Sequence, residues 1–264
     1  MEWIQSKDNS IFKKLKKLKQ KKYREEYNLF LAEGFKFLQF NITPEYIILK
    51  SSFEKKLSQM IEEKMGSSFF ENNKIIVLEE KLFNELTSQE NSQGIILAYK
   101  IKNNNITPSN NILVILDRIT DPGNMGTILR LCDSVGFKDL ILVHGSVDVY
   151  NEKVVRSTMG SIFEVNFNCW TEKETIDFIK KENYQINVTT LSSGSVSYNK
   201  LVLSKKNAII FGSEGDGVSQ SFLEIADKKI NIPIYGSAES LNVGVASGII
   251  LYKVREILEN DEKL

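Results

Sequence analysis

Two uninterrupted apolar runs, Ile112-Leu113-Val114-Ile115-Leu116 and Ala208-Ile209-Ile210-Phe211, limit what the chain can become. Neither alternates with polar residues, so each reads as a strand covered on both faces, the pattern of a parallel sheet flanked by helices. The stretches around them fit that grammar. Gly126–Ser134 is expected to be a helix stopped by Gly136, Leu140–Val143 a strand and Glu152–Ser157 a short helix. Glu172–Lys181 reads as a helix, Ile186–Thr190 as a strand, Ser219–Ala226 as a helix with Ser219 at its N-cap, Lys229–Ile232 as a short strand, and Leu241–Leu258 as a long, mostly apolar helix. The fold class is therefore α/β, with ligands expected beyond the carboxyl ends of the strands.

Residues 102–111, Lys-Asn-Asn-Asn-Ile-Thr-Pro-Ser-Asn-Asn, have linker composition. They suggest a smaller domain over 1–106 and a larger one over 107–264. The first also mixes helix and strand signals. It has a charged helix over Lys13–Glu26, a run Phe30–Gly34 leading into a helix that ends near Phe40, and a β-rich Tyr46–Leu49. Phe53–Met65 reads as helical, Lys74–Leu78 as extended, Glu80–Leu86 as helical and Ile95–Tyr99 as extended. A small N-terminal α/β domain is the expectation.

Composition excludes several classes. The 264 residues carry no net charge, yet residues 1–24 hold eight Lys and one Arg against Glu2 and Asp8. That basic stretch is either a solvated helix face or an arm turned toward RNA or a membrane surface. Cys132 and Cys169 are the only cysteines and His144 the only histidine. A disulfide framework and most zinc sites are thereby excluded, and two lone thiols suit a reducing cytoplasm. There is no signal-peptide core and no apolar run long enough to span a membrane, so neither membrane nor metal is expected.

Three loops rich in small residues follow strands: Asp117–Thr127, Gly212–Gly217 and Pro233–Ser240. Each alone is equally a turn with a helix cap. Three at one edge of one sheet favour a site, because glycine lets backbone approach a ligand and helix N-termini present free N–H groups. The phosphate loop G-x-x-x-x-G-K-S/T is missing, and G-x-x-G-x-G after a late strand is not the dinucleotide fingerprint.

In order and spacing, three stretches resemble the motifs of the SpoU/TrmH class of RNA ribose 2′-O-methyltransferases, within the SPOUT superfamily. They are Asp117-Arg118-Ile119-Thr120-Asp121-Pro122-Gly123-Asn124-Met125-Gly126-Thr127-Ile128-Leu129-Arg130, Ile210–Val218, and Ile232–Ala246 with its core Ser240-Leu241-Asn242-Val243. Residues 12–101 resemble the substrate-binding domain of the rRNA-modifying branch, through Phe30-Leu31-Ala32-Glu33-Gly34-Phe35-Lys36-Phe37-Leu38.

The resemblance implies a deep trefoil knot, a homodimer, S-adenosyl-L-methionine as donor and an RNA ribose 2′-hydroxyl as acceptor. It implies that backbone at Gly212, Ile232 and Leu241 holds the donor's adenine and ribose. Asn124, Arg130, Glu214, Ser240 and Asn242 become the expected catalytic set. Arg130 is read as positioning the hydroxyl and a phosphate, since a guanidinium stays protonated and makes a poor base. Ser240 also suits the N-cap of the last helix. Gly244 departs from the Ser that many relatives carry. Lys13, Lys14, Lys17, Lys21, Arg24, Arg118 and Arg156 are the expected RNA contacts. Folded rRNA, 23S rRNA first, is the expected substrate, with tRNA as an alternative and a catalytically dead RNA-binding protein as a second one.

Overall fold

The computed structural model describes residues 1–66, 74–102, 106 and 111–261. Its contacts gather into two units, Met1–Asn103 with Asp148–Gly160, and Asn104–Val147 with Ser161–Leu264. Most of the Asn-rich linker (103–105 and 107–110) lies outside the described residues. A single boundary at 106/107 leaves one segment misplaced: Asp148–Gly160 groups with the first unit.

The first unit contains β1 (Glu2–Ile4), α1 (Ser10–Lys17), α2 (Lys21–Tyr27), β2 (Leu29–Glu33), β3 (Tyr46–Lys50), α3 (Glu54–Met65), β4 (Ile75–Leu78), α4 (Glu80–Leu86) and β5 (Ile95–Lys100). Its mixed sheet has the order β1-β4-β3-β5-β2. β1, β4 and β3 are parallel, and β5 runs antiparallel to β3 and β2. Phe12, Leu15 and Leu18 pack with Ile48, Ile76, Leu82 and Phe83 to form its core.

The single helix expected over Lys13–Glu26 is two. Asn9 caps α1 by accepting from the Ile11 N–H at 2.8 Å. The ladder then breaks at Gln20, whose backbone is extended, and the Leu18 carbonyl accepts from Arg24 Nη1 at 2.7 Å. Likewise, the helix expected to end near Phe40 is a 3-10 turn, Phe35–Gln39, whose Phe37 carbonyl accepts from the buried Tyr99 hydroxyl at 2.8 Å.

Arg24 is 4% exposed. Its Nε donates to Asp148 Oδ2 at 3.0 Å, and Nη2 donates to the same oxygen. Segment Asp148–Gly160 is further held by Phe30 against Tyr150, with ring centroids 4.7 Å apart. At its end, a Cβ on Gly160 would fall 2.0 Å from the Phe40 ring. Arg24 is therefore an internal tie, and its expected role as an RNA contact is corrected: a buried, doubly engaged guanidinium has no face left for phosphate.

Glu85 receives Lys16 Nζ at 2.6 Å and also Lys7 Nζ. The Lys16 hydrogen bond first, then that from Lys7, lowers its carboxyl pKa from 4.5 to about 2. A carboxyl depressed on folding stabilises the fold above its ordinary range, and that contribution is lost as pH falls through about 2. A carbon-detected NMR titration at low salt should place the Glu85 midpoint near 2 and move it upward in Lys16→Ala. An ordinary glutamate midpoint in the wild type would remove the bridge.

The second unit carries β6 (Ile112–Asp117), α5 (Pro122–Ser134) and β7 (Asp139–Val143). Next comes α6 (Glu152–Thr158), which lies in the segment grouped with the first unit. Back in the second unit follow β8 (Asn166–Trp170), α7 (Glu172–Lys181), β9 (Gln185–Thr189), β10 (Val196–Ser197), β11 (Asn207–Gly212), α8 (Gln220–Glu224), β12 (Lys228–Asn231) and α9 (Val243–Asp261). All seven strands are parallel, in the order β10-β12-β9-β11-β6-β7-β8. The two apolar runs lie side by side as β6 and β11, paired from Ile112↔Asn207 to Asp117↔Gly212, and are buried along their whole length. From β6 the chain steps outward through β7 and β8, then resumes at β9 on the other side. That reversal places a ligand crevice at the carboxyl ends of the central strands.

Helix α5 begins four residues earlier than expected. Asp121 accepts from the Asn124 N–H at 2.8 Å and Pro122 takes the first helical position. Asn124 is therefore in the first turn rather than in a loop. At the other end, Arg255 of α9 donates through Nε to the Val135 carbonyl at 2.7 Å and lies 4.9 Å from the Phe137 ring centre. A cation there suits the negative end of α5.

Candidate active site

A cavity of about 550 Å³ opens at the carboxyl ends of β9, β11 and β12. Its wall includes Leu191 after β9, Gly212–Val218 after β11, and Asn231, Ile232 and Ile234 at and after β12. Glu239–Val243, with Ala246 and Ile250 of α9, complete it. Gly212, Glu214, Ile232, Ser240, Leu241 and Asn242 of the expected set all face it. The size and the mixed apolar and polar wall suit a nucleoside-sized molecule. Gly212 has no alternative: a Cβ there would sit 2.2 Å from Gly217 C and Val218 N, inside the loop's own backbone.

One hydrogen-bonded chain joins the three motifs. Asn124 Nδ2 donates to Glu214 Oε1, and Asn242 Nδ2 donates to Asn124 Oδ1 at 2.9 Å. Asn242 Oδ1 in turn accepts from the N–H groups of Gly244 (2.9 Å) and Val245 (3.2 Å). Its polarity is dictated from both ends. A carboxylate only accepts and a backbone N–H only donates, so each amide can point in one sense only. These bonds also make Asn242 the N-cap of α9, not Ser240, and the helix starts at Val243 rather than Leu241. Gly244 lies against this chain: a Cβ would come 3.1 Å from Asn242 Oδ1 and 3.2 Å from Thr127 Cγ2.

Asp117 was not among the expected site residues, yet it organises the second loop. It ends β6 fully buried. Its Oδ1 accepts from Arg118 Nε at 3.0 Å. Its Oδ2 accepts from Arg118 Nη2 at 3.2 Å and from the Ser219 N–H at 2.7 Å. Arg118 adopts φ 56°, an uncommon conformation for a long side chain. It packs on Gly145, where a Cβ would be 3.1 Å from Arg118 Cγ. Its Nη2 also reaches the Gly217 carbonyl at 3.5 Å. Ser219 and Gly217 close the loop that lines the cavity, so Asp117 anchors that loop's far end. Arg118 is thus tied into this clamp through Nε and Nη2. The sequence signal was present: an acid closing an apolar run is buried with it and must find partners.

Asp117→Ala leaves the Ser219 N–H and Arg118 without their acceptor, a loss of about 1–3 kcal/mol in stability. If about 1.4 kcal/mol of that falls on the ligand-ready loop, donor affinity drops about tenfold. Calorimetric titration with S-adenosylmethionine checks this, and an unchanged Kd would refute the anchoring role.

The remaining expected residues divide. Arg130 is exposed on α5. Arg156 lies on α6 in the first unit, half-buried in a small recess with Glu33 and Glu152. Lys13 pairs with Asp8 at 2.7 Å and Lys21 with Glu25 at 3.7 Å. Lys14 and Lys17 lie over tyrosine rings.

Comparison with known proteins agrees along the whole chain. The SpoU rRNA Methylase family matches residues 111–252, and the MRM3-like substrate binding domain matches residues 9–97. The chain is 32% identical over 255 residues to the 23S rRNA (guanosine(2553)-2′-O)-methyltransferase RlmP of Bacillus subtilis, covering 97% of this chain and 100% of that one. It is 36% identical over 154 residues to the tRNA (guanosine(18)-2′-O)-methyltransferase of Aquifex aeolicus, covering 58% of this chain and 71% of the relative. The crystal structure of an AdoMet-bound rRNA methyltransferase from Sinorhizobium meliloti superposes with a TM-score of 0.82 at 28% identity, covering 97% of this chain and 98% of that one. With the SpoU profile spanning more than half its length and a full-length relative at this identity, the chain belongs to the SpoU rRNA methylase family.

Proposed function

We propose that this protein transfers the methyl group of S-adenosyl-L-methionine to a ribose 2′-hydroxyl of 23S rRNA. The observation that carries the reading is the Glu214–Asn124–Asn242 chain beside the cavity, in which all three family motifs meet. The cavity also fits the donor chemically. Asn231, in the cavity wall, has an Oδ1 buried with no hydrogen-bond partner among the described residues, and Ile232 and Leu241 offer apolar surface to a flat ring.

Backbone at Gly212, Ile232 and Leu241 would hold the adenine and ribose. When bound, the donor supplies an electrophilic methyl group, so the protein is left with alignment and exclusion of water. Asn124 and Asn242 brace the pocket's floor against Glu214. Arg130 would position the hydroxyl and a neighbouring phosphate, and being permanently protonated it removes no proton itself. Arg130→Lys should therefore retain RNA affinity better than Arg130→Ala in a filter-binding assay, and equal losses would exclude positioning by charge.

The relative matched from end to end is an rRNA enzyme, whereas the tRNA enzyme matches 58% of the chain, which favours rRNA. A binding protein that has lost catalysis would not need an intact Glu214–Asn124–Asn242 chain and predicts no donor binding by calorimetry. Ribose-methylation mapping of total RNA with and without the protein tests the reading: one lost site names the nucleotide, and an unchanged map ends the proposal. The same reading makes the protein a cytoplasmic homodimer with the SPOUT trefoil knot. Val245 and Tyr252 of α9, 53% and 54% exposed, supply apolar surface for a dimer face. Sedimentation at the monomer mass would remove that element.

A further inference from the structure

Two sets of lysines in the first unit differ in what surrounds them. In the first, Lys7, Lys13 and Lys16 share two carboxylates, Glu85 and Asp8. In the second, Lys14, Lys17, Lys22, Lys74 and Lys100 have one, Glu45, which pairs with Lys74 at 3.0 Å and Lys100 at 3.9 Å. Lys14, Lys17, Lys22 and Lys74 of this second set are laid over tyrosines. Lys17 and Lys22 lie 4.9 and 5.7 Å from the centre of the Tyr23 ring. Tyr23 stacks on Tyr27 at 5.9 Å. Lys14 lies 5.4 Å from Tyr27 and 5.9 Å from Tyr46, and Lys74 lies 5.4 Å from Tyr46. Each contact shares a residue with the next, so α1, α2, β3 and the residue before β4 carry one continuous strip.

We infer that the part of this strip that no described carboxylate bridges, Lys22–Lys17–Tyr23–Tyr27–Lys14, is where the first unit grips the phosphodiester backbone of the RNA substrate. It rests on the proposed activity and deepens it by naming the gripping surface. An ammonium resting on a ring face is oriented and weakly held, worth about 0.5–1 kcal/mol when exposed. It can accept a phosphate without giving up an ion pair. A lysine already bridged to a carboxylate must lose that partner first. The strip contains lysines and no arginine, so its contacts are point charges that set register and carry no base identity. The contacts expected of Lys13 and Lys21 pass instead to Lys22, which lies in the same basic stretch.

The test uses the full-length protein, a 23S rRNA transcript and two charge-matched triple variants. One is Lys14→Gln/Lys17→Gln/Lys22→Gln on the strip, and the other is Lys7→Gln/Lys13→Gln/Lys16→Gln on the paired set. The plot of log affinity against log salt should flatten by about two to three units in the strip variant, near one per lost phosphate contact, and by less than about one in the control. Tyr23→Leu keeps every charge and should weaken binding severalfold at an unchanged slope. Calorimetric affinity for S-adenosylmethionine should be the wild-type value in all three. Equal slopes in the two triple variants, or no change in the strip variant, overturn the inference. So does a wild-type protein that binds the donor but not the transcript, and the methyltransferase reading survives each of these. Loss of donor binding by the wild type instead counts against that reading itself.

Discussion

Asn124→Ala is expected to lower kcat for methyl transfer by about 10²–10³-fold while leaving the melting temperature within a few degrees of wild type. Asn124 uses both ends of its amide, giving a hydrogen to Glu214 and taking one from Asn242. It thereby joins helix α5, the loop after β11 and the start of α9. Removing it frees three segments that must hold reactants to within a fraction of an ångström. Its backbone N–H still meets Asp121, so α5 keeps its cap. Asn124→Asp should do no better than Ala. A carboxylate has no hydrogen for Glu214 and sets two acceptors against each other. Single-turnover kinetics with saturating donor reads the effect, and an Asp variant within threefold of wild type would show that the chain is incidental to catalysis.

Asp148→Ala should destabilise the first unit by about 3–5 kcal/mol, because the Arg24 charge stays buried with its main acceptor gone. Arg24→Ala should cost a similar amount, and the double variant should lose clearly less than the sum. Denaturant unfolding followed by fluorescence measures all three. The same variants separate an internal tie from an RNA contact. Losing a phosphate contact flattens the salt dependence of RNA binding, whereas losing the tie lowers stability and leaves that slope alone. A stable Arg24→Ala protein with a flattened slope would restore the role first expected of Arg24. A chain cut after the linker lacks Asp148, Tyr150 and Gly160, and should therefore not hold the fold seen for the first unit.

Most of the second unit was legible in the chain. The runs that became β6 and β11 needed cover on both faces, and Glu172–Lys181 has the bounds of α7 because Thr171 and Glu174 form a capping box. Short or polar strands left little trace: β1, β8 and β10 are made by pairing with neighbours rather than by local preference. The start of α5 was hidden because Gly123 and Gly126 look like a loop, although Asp121 and Pro122 already carried the cap.

Residue identity, order and spacing along this chain determined the α/β class, the three motifs and most of the cavity's wall, since those depend on local patterns that any packing must respect. Partner choice belonged to the tertiary structure. Arg24 and Lys14 sit in one basic stretch, and distant residues divide them: Asp148 draws the first inward, while Tyr46, folded beside α1, lies under the second. A charge's surroundings depend on residues far away in sequence, and spacing along the chain holds no record of them.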